Sequence, residues 1–179
     1  MNIPDIDIEI VKDYGNRISV HEETILLRAG ETAKSAFFIL SGGIRLFFYT
    51  EQGEVTLEFF FDNSVVSSFS SFKQKKPSNY WLETIEDSEL IEIPQENVAK
   101  IFAYLPKLRS LYTEGLEDRL SDYISRLNTL LSLEAKDRYD DLVKKRPDII
   151  QRVKQKYIAS YIGIKPESLS RIRSNRSVN

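Results

Sequence analysis

The stretch QKYIASYIGIKPESLSRIR, residues 155–173, has the pattern of two short helices joined by a tight turn. Ile158 and Ile162 give the first helix an apolar side. Gly163 follows where that helix should end, because glycine enters the left-handed conformation at the least steric cost. Pro166 suits the first turn of the next helix, where a missing N–H is no loss. The stretch therefore predicts a helix-turn-helix.

The second helix of this pair has an apolar side and a polar side. Leu169 and Ile172 lie three residues apart and are expected to face inward. In the major groove of DNA, arginine can hold a guanine edge with two hydrogen bonds, and glutamate can accept one from cytosine. The alternative interpretation is a helical hairpin whose arginine side is merely solvated. The residues expected to face outward are Glu167, Ser168, Ser170, Arg171 and Arg173.

The charge of the chain is unevenly distributed. Residues 144–179 contain ten lysines and arginines and two acidic residues, a net charge of +8. Because the whole chain carries −2, residues 1–143 carry −10. A basic segment on an acidic body is typical of nucleic-acid binding, although a solvated basic tail has the same charge. The coincidence of the charge with the helix-turn-helix favours nucleic acid.

Composition argues against several classes of protein and site. Charged residues make up 29% of the chain, and no apolar run approaches the ~20 residues that span a bilayer. The N-terminal residues are acidic where a signal peptide would be basic, so we expect no membrane partner and a cytoplasmic location. The chain has no cysteine and a single histidine, His21, which we interpret as a surface residue. We therefore expect no metal, no cofactor and no enzymatic activity.

Residues 17–94 consist of roughly seven short runs rich in β-branched and aromatic residues, among them 35–50 and 63–69. Several runs alternate polar and apolar side chains, which predicts an antiparallel sandwich or barrel. Gly42-Gly43, between two aromatic-rich runs, predicts a tight two-residue hairpin. Residues 4–16 are compatible with a short amphipathic helix or a strand, and Gly15 would end either one.

Beyond Pro94 the sequence becomes helical. Residues 95–104, 107–133 and 134–145 each predict a helix. In the long second helix, apolar residues recur at alternating steps of four and three, an a/d seam about two heptads long. Such a seam packs the helix either on the β unit or on a second copy in a homodimer, and two heptads leave both open. The seam residues are Leu116, Leu120, Tyr123, Leu127 and Leu130.

Three segments, residues 27–31, 38–46 and 87–94, resemble the strand and turn landmarks of a cyclic-nucleotide-binding-type β-roll. In this order, and followed by a long helix and a helix-turn-helix, they make the chain resemble the Crp/Fnr family of bacterial transcription regulators. The resemblance implies an α+β fold with an N-terminal antiparallel, jelly-roll-like β-roll, a long dimerisation helix and a C-terminal helix-turn-helix. The implied domains are a β-roll sensor (1–106), the dimerisation helix (107–133) and a DNA-binding domain (134–179).

The same resemblance implies a homodimer that reads a near-palindromic site on double-stranded DNA, with RNA polymerase as a further partner. The residues that match the family's base-reading positions are Glu167, Ser170 and Arg171. Pro166 occupies the position at which one branch of the family has an additional arginine, so the segment resembles the Fnr-like branch. Contacts with phosphates or flanking bases are expected from Lys154, Gln155, Lys165, Ser168 and Arg173.

Two features depart from the family pattern. Ser67-Ser68 stand where nucleotide-binding members have Gly-Glu, and Ser78-Asn79 stand near the position of Arg-Ser. Because the ribose-binding carboxylate and the phosphate-binding arginine are missing, we expect no control by the usual cAMP binding. These four residues form the candidate pocket for an effector, a small molecule of unknown identity. Only residues 174–179 follow the recognition segment, so we expect little or no β-wing.

A second hypothesis is a small-molecule sensor that acts through protein contacts, with a helical tail that does not bind DNA. The expected loss of the wing motivates it. Duplex affinity at low salt separates the two hypotheses, since even non-specific binding appears there.

Overall fold

The computed structural model describes residues 8–176, which form two four-stranded sheets and a series of helices. The strands are β1 (Asn16–Val20), β2 (Ile25–Leu27), β3 (Ser35–Ser41), β4 (Ile44–Thr50), β5 (Gly53–Phe60), β6 (Val65–Val66), β7 (Trp81–Thr84) and β8 (Ser88–Pro94). One sheet has the order β1-β8-β3-β6 and the other β2-β7-β4-β5, and their strand pairs are antiparallel. The predicted fold class, α+β with an N-terminal antiparallel β-roll, is confirmed.

The two sheets face each other across an apolar core. Successive side chains of a strand lie on opposite faces of its sheet, so alternate residues point into this core. Ile39 of β3, Ile44 of β4, Leu82 of β7 and Leu90 of β8 are each 0% exposed. Both sheets therefore contribute fully buried residues to the interior of the roll.

The prediction of a hairpin at Gly42 and Gly43 is wrong. β3 and β4 belong to different sheets, so the two glycines carry the chain from one sheet to the other. Gly42 has a φ of +104°, and a Cβ on Gly43 would lie 2.9 Å from a side-chain carbon of Ile85. Glycine is needed here because the crossing is tight, not because two neighbouring strands pair. The hairpin lies between β4 and β5, where Thr50 pairs with Gly53.

The run at residues 63–69 is also not the strand that its composition predicts. Only Val65–Val66 pair, with Phe37 and Phe38 of β3. The chain then turns into a short helix, α2 (Phe69–Gln74), in which the Phe72 N–H donates to the Ser68 carbonyl. Serine hydroxyls bond to nearby backbone groups and so compete with strand pairing, which the β-propensity of the run did not reveal.

The helices predicted at residues 95–104, 107–133 and 134–145 agree with the structure to within one residue at each end, whereas the last helix runs to Arg176, three residues beyond the predicted stretch. Prolines stand at the first turns of three of the helices, where a missing N–H is no loss. Of the two interpretations of residues 4–16, the helix is correct for the described part, and residues 4–7 lie outside the described residues. The helices are α1 (Ile8–Asp13), α3 (Gln95–Tyr104), α4 (Pro106–Ser132), α5 (Ala135–Lys145), α6 (Pro147–Arg152), α7 (Gln155–Tyr161) and α8 (Pro166–Arg176).

Two further apolar clusters hold the helices on the roll. α3 and the start of α4 cover the outer face of the first sheet, where Ile101 and Leu108 pack with Phe38 and Ile91. The C-terminal helices α5 to α8 share the other cluster with Phe59, Phe61 and Ile85 of the roll. Within residues 8–176, every helix is too short or too polar to cross a membrane.

Candidate nucleic-acid interface

α7 and α8 form a compact pair around a glycine turn. Ile158 and Leu169 are 1% and 0% exposed, so the apolar sides of both helices meet in one core. Gly163 has a φ of +68°, and the N–H of Ile164 donates to the carbonyl of Ala159 across the turn at 3.0 Å. That bond satisfies a carbonyl that the end of α7 would otherwise leave free. The two helices and their turn lie at residues 155–176, where the sequence predicts a helix-turn-helix.

The outer side of α8 presents the three residues predicted to read bases. Glu167, Ser170 and Arg171 are all exposed. Their spacing of three and four residues puts them on one side of the helix. Lys165 is exposed next to them, whereas Ser168 and Arg173 are half-buried instead of facing fully outward.

The two predicted phosphate contacts at the start of α7 have different surroundings. Gln155 is exposed. The Lys154 ammonium lies 2.9 Å from a carboxylate oxygen of Glu22 and 2.9 Å from one of Glu23, in the β1–β2 loop. Hydrogen bonds to Glu23 and Glu22 raise the pKa of Lys154 above its ordinary value, and the hydrogen bond from Lys154 lowers the pKa of Glu23. Lys154 is therefore already paired with two carboxylates of the roll.

Arg152, at the end of α6, is held in the same way. Its guanidinium contacts Asp62 at 2.5 Å and Glu86 at 2.6 Å, and it donates to the carbonyl of Gly42 at 3.0 Å. Burial alone would raise the pKa of Asp62, but the hydrogen bond from Arg152 and backbone N–H groups outweigh it and leave that pKa below its ordinary value. The basic tail thus pairs with the acidic body within one chain.

The centre of the contact between tail and roll is Arg45 of β4, which is 2% exposed. Its guanidinium carbon lies 3.9 Å from the ring centroid of Phe47 and 3.6 Å from that of Tyr157 in α7. The same group donates two 2.9 Å hydrogen bonds to Glu54 and one of 2.6 Å to Glu83. Two carboxylates and two aromatic rings therefore compensate the burial of this charge.

Hydrogen bonds at the next turn of α7 add to this contact between α7 and the roll. The hydroxyl of Ser160 donates to Thr56 Oγ1 at 2.8 Å and accepts from the N–H of Thr56 at 2.7 Å. Arg126 of α4 donates to the carbonyls of Thr56, Leu57 and Tyr161 at 3.0, 2.5 and 2.7 Å. One arginine therefore ties the long helix to both the roll and the end of α7.

The seam of α4 faces away from the roll for most of its length. Leu120 is 60% exposed and Leu127 is 54% exposed, and Tyr123 is 36% exposed. Leu116 and Leu130 are half-buried. Another side of α4, with Leu108 and Arg126, contacts the roll. The single chain thus leaves the seam largely uncovered.

The four candidate pocket residues lie around α2. The hydroxyl of Ser67 donates to the Ser35 carbonyl, and the hydroxyls of Ser68 and Ser78 lie 2.8 Å apart. Ser68 and Ser78 are 1% and 2% exposed, and Asn79 is exposed. The structure thus brings together two of the four predicted pocket residues, Ser68 and Ser78, and their hydroxyls bond to each other.

Two cavities lie elsewhere, along α4. One of about 410 Å³ separates α4 from the end of β5 and the α5–α6 corner. The other, about 520 Å³, is an open groove between the second half of α4 and α5. Glu58 and Arg119 line the first, and Asn128 and Lys145 line the second. None of the four predicted pocket residues lines either cavity.

Sequence reasoning missed the residues that seat the tail on the roll. Arg45, Thr56 and Arg126 were not among the predicted site residues, and their partners are distant in the chain. One signal was available: Arg45 is a charged residue inside an apolar run of a predicted strand, between Ile44 and Leu46. A charge in such a position is expected to have a specific partner.

The comparisons with known proteins agree with this architecture. Residues 17–104 match the family model of the cyclic nucleotide-binding domain. No curated protein matches the chain. The solved c-di-GMP responsive global regulator CLP of Xanthomonas campestris is 22% identical with a TM-score of 0.77, and the match covers 96% of this chain and 90% of that one.

Two other solved structures share the fold over nearly the whole chain. A mutant of CooA from Carboxydothermus hydrogenoformans is 16% identical with a TM-score of 0.79, covering 98% of this chain and 84% of that one. A regulator assigned to the crp/fnr family from Eubacterium rectale is 20% identical with a TM-score of 0.70, covering 95% and 82%. Residues 17–104 are therefore similar to the cyclic nucleotide-binding domain, and over most of its length the chain shares its fold with solved regulators, one of them assigned to the crp/fnr family.

Proposed function

We propose that the protein is a DNA-binding transcription regulator of the Crp/Fnr type that acts as a homodimer. The observation that carries the proposal is the outer side of α8, where Glu167, Ser170 and Arg171 are exposed on a helix whose other side is packed by Leu169. A recognition helix needs this division, because the buried side fixes its orientation and the polar side meets base edges.

In this proposal Arg171 holds a guanine edge, Glu167 accepts from cytosine, and Ser170 contacts a neighbouring base. Contacts to phosphate fix the register without reading sequence. Those contacts come from Lys165, Ser168 and Arg173 of the turn and α8, and from Lys154 and Gln155 at the start of α7.

The homodimer is supported by the exposed seam of α4. Leu120, Leu127 and the flanking Ile124 are each more than half exposed in the single chain. Burying such side chains contributes about 25 cal/mol per Å² of apolar surface. A second copy of α4, packed seam to seam, covers these residues and places one recognition helix on each half of a near-palindromic site.

The effector of this regulator is proposed to be something other than cAMP bound in the family's usual way. Ser68 and Ser78 are uncharged and bonded to each other, so they supply neither the carboxylate that holds a ribose nor the guanidinium that holds a phosphate. The candidate pocket residues therefore offer no charged side chain that could bind a cyclic phosphate.

The test is selection of binding sites from random duplexes with the wild type and with Arg171→Ala. Loss of one base preference, worth about 1–3 kcal/mol, is expected at a single position in each half-site. Arg28→Ala, which removes another exposed arginine, is the matched control and should leave the preferences unchanged. Unchanged preferences in Arg171→Ala would show that Arg171 does not read a base.

One observation favours the second candidate, a sensor that acts through protein contacts. The tail is packed on the roll by ion pairs and by the Arg45–Tyr157 stack, as a docking element would be. Duplex binding at low salt distinguishes the candidates, because a regulator that binds DNA retains non-specific affinity there. No measurable binding at the lowest workable salt would favour the sensor.

A further inference from the structure

Three basic residues at the junction of α6 and α7, here called the corner cations, are Arg152, Lys154 and Lys156. Each contacts acidic side chains of the roll. Arg152 pairs with Asp62 and Glu86, Lys154 with Glu22 and Glu23, and Lys156 with Glu23 at 3.5 Å. The partners Glu22, Glu23, Asp62 and Glu86 are called the roll carboxylates.

We propose that the roll carboxylates compete with DNA phosphates for the corner cations, so that the docked tail is an autoinhibited arrangement of the regulator. This inference rests on the proposed function. It adds how DNA binding by the same helix-turn-helix is controlled.

The geometry around Lys154 sets the two partners in competition. Its ammonium lies 2.9 Å from each of two carboxylates, which leave one of its three protons for another acceptor. A phosphate that reached Lys154 would come close to both carboxylates, and like charges at such distances repel. DNA can therefore use Lys154 fully only when α7 leaves the β1–β2 loop.

The other contacts between α7 and the roll must break together when α7 leaves it. The Tyr157 ring lies on Arg45, and Ser160 exchanges two hydrogen bonds with Thr56 on the same side of α7. Arg126 in addition holds the carbonyl of Tyr161 at the end of the helix. Because these groups lie along one short helix, Lys154 is released together with Tyr157 and Ser160.

The chain allows a direct test, because it has no cysteine. The hydroxyl oxygens of Thr56 and Ser160 lie 2.8 Å apart, so Thr56→Cys with Ser160→Cys should form a disulfide that keeps α7 on the roll. The apparent affinity of a two-state binder falls with the fraction in the competent state. We expect the oxidised variant to bind a selected duplex about tenfold or more weaker than its reduced form.

The two single-cysteine variants are the controls, and oxidant should not change their affinity. Equal affinity of the oxidised and reduced double variant would overturn the proposal, because the docked tail would then bind DNA. If no form binds any duplex at low salt, the proposed function fails, and the competition fails with it.

A second set of variants tests the charges. Arg45, Thr56 and Ser160 stay unchanged, and a glutamine at position 23 can still accept from the Tyr157 hydroxyl, which lies 3.4 Å from Glu23. Glu22→Gln with Glu23→Gln frees Lys154 and Lys156, whereas Glu51→Gln with Glu96→Gln removes the same charge at exposed positions of the β4–β5 turn and α3. We expect the first pair alone to raise duplex affinity several-fold and to steepen its dependence on salt by roughly one unit of the log–log slope. Equal effects from both pairs would reduce the result to net charge and contradict the proposal.

A readout without DNA separates docking from DNA binding. The amine of Lys154 should react faster with an acylating reagent in Glu22→Gln/Glu23→Gln than in the wild type, as followed by mass spectrometry. Faster acylation together with absent duplex binding in all variants would assign the failure to the proposed function. Unchanged acylation would show that the carboxylates do not hold Lys154, and would overturn the proposal.

Discussion

Arg45 of β4 and Tyr157 of α7 are stacked, with the guanidinium carbon 3.6 Å from the ring centroid. They are partners although one lies in the roll and the other in the C-terminal pair of helices, α7 and α8. Burial alone would lower the pKa of Arg45, but the hydrogen bond to Glu54 and the charge of Glu83 outweigh it and leave that pKa raised. The roll and the tail therefore share one charged, buried group.

Replacing Arg45 tests the importance of that group for stability. Arg45→Ala leaves the carboxylate of Glu83, which is 8% exposed, without its 2.6 Å partner. Breaking a buried pair from one side costs about 3–5 kcal/mol, which urea unfolding would measure. Arg45→Ala with Glu83→Gln should lose less, because the unpaired charge is gone. A single variant within about 0.5 kcal/mol of the wild type would contradict the assignment.

The pair of Arg152 and Asp62 predicts a dependence of stability on pH. The pKa of Asp62 is lower in the folded chain than the ordinary 3.8. Above pH 3.8 the carboxylate is ionised in both states, and the pair contributes fully to stability. Below that value the unfolded chain takes up the proton first, so the contribution declines until pH passes the lowered pKa.

Thermal unfolding of the wild type and of Asp62→Asn over this pH range measures the effect. The difference in melting temperature between the two proteins should be largest near neutral pH and should shrink in acid. A difference that stays constant from about pH 7 to about pH 2 would show that Asp62 does not act through its charge.

The seam of α4 predicts the oligomeric state. Leu127→Glu puts a charge at the centre of the seam, and the side chain is already 54% exposed in the single chain, so the fold should survive. We expect light scattering to give a dimer for the wild type and a monomer for Leu127→Glu, because burying an unpaired carboxylate in the proposed interface is unfavourable. Ser125→Glu, on another exposed side of α4, should remain dimeric. An unchanged mass for Leu127→Glu would place the dimer interface elsewhere.

The paired serines of the cassette predict the response to nucleotides. In a thermal-shift panel with cAMP, cGMP and c-di-GMP, we expect cAMP to leave the melting temperature unchanged. A ligand that binds the folded chain raises that temperature in proportion to the logarithm of its concentration. A clear shift with micromolar cAMP would show that the Ser68–Ser78 arrangement opens to hold a cyclic phosphate.

Much of the fold could be predicted because its signals are local. The start of α8 follows from Pro166, and the end of α7 follows from Gly163. The apolar spacing of Ile158 and Leu169 likewise indicates which sides of these helices are buried. Each of these inferences needs only neighbours within about one helical turn.

The errors concern interactions between distant parts of the chain. Gly42 and Gly43 have the composition of a hairpin, but they join two sheets because β3 pairs with β8 and β4 with β7. The same limit applies to the candidate pocket, where Ser68 and Ser78 lie on either side of α2 and their hydroxyls meet at 2.8 Å. Composition cannot distinguish such pairings, since strand pairing is decided by the whole sheet.

The sequence by itself determined that two short helices joined by a glycine turn follow a β-roll and a long helix, with Glu167, Ser170 and Arg171 exposed on the last of them. Only the tertiary structure decided which acidic residues the basic residues of the C-terminal helices contact. Lys154 and Glu23 are separated by 131 residues, and their 2.9 Å contact exists because α7 is seated on the roll. Helical spacing and caps are short-range properties, whereas a charge finds its partner through the packing of the entire chain.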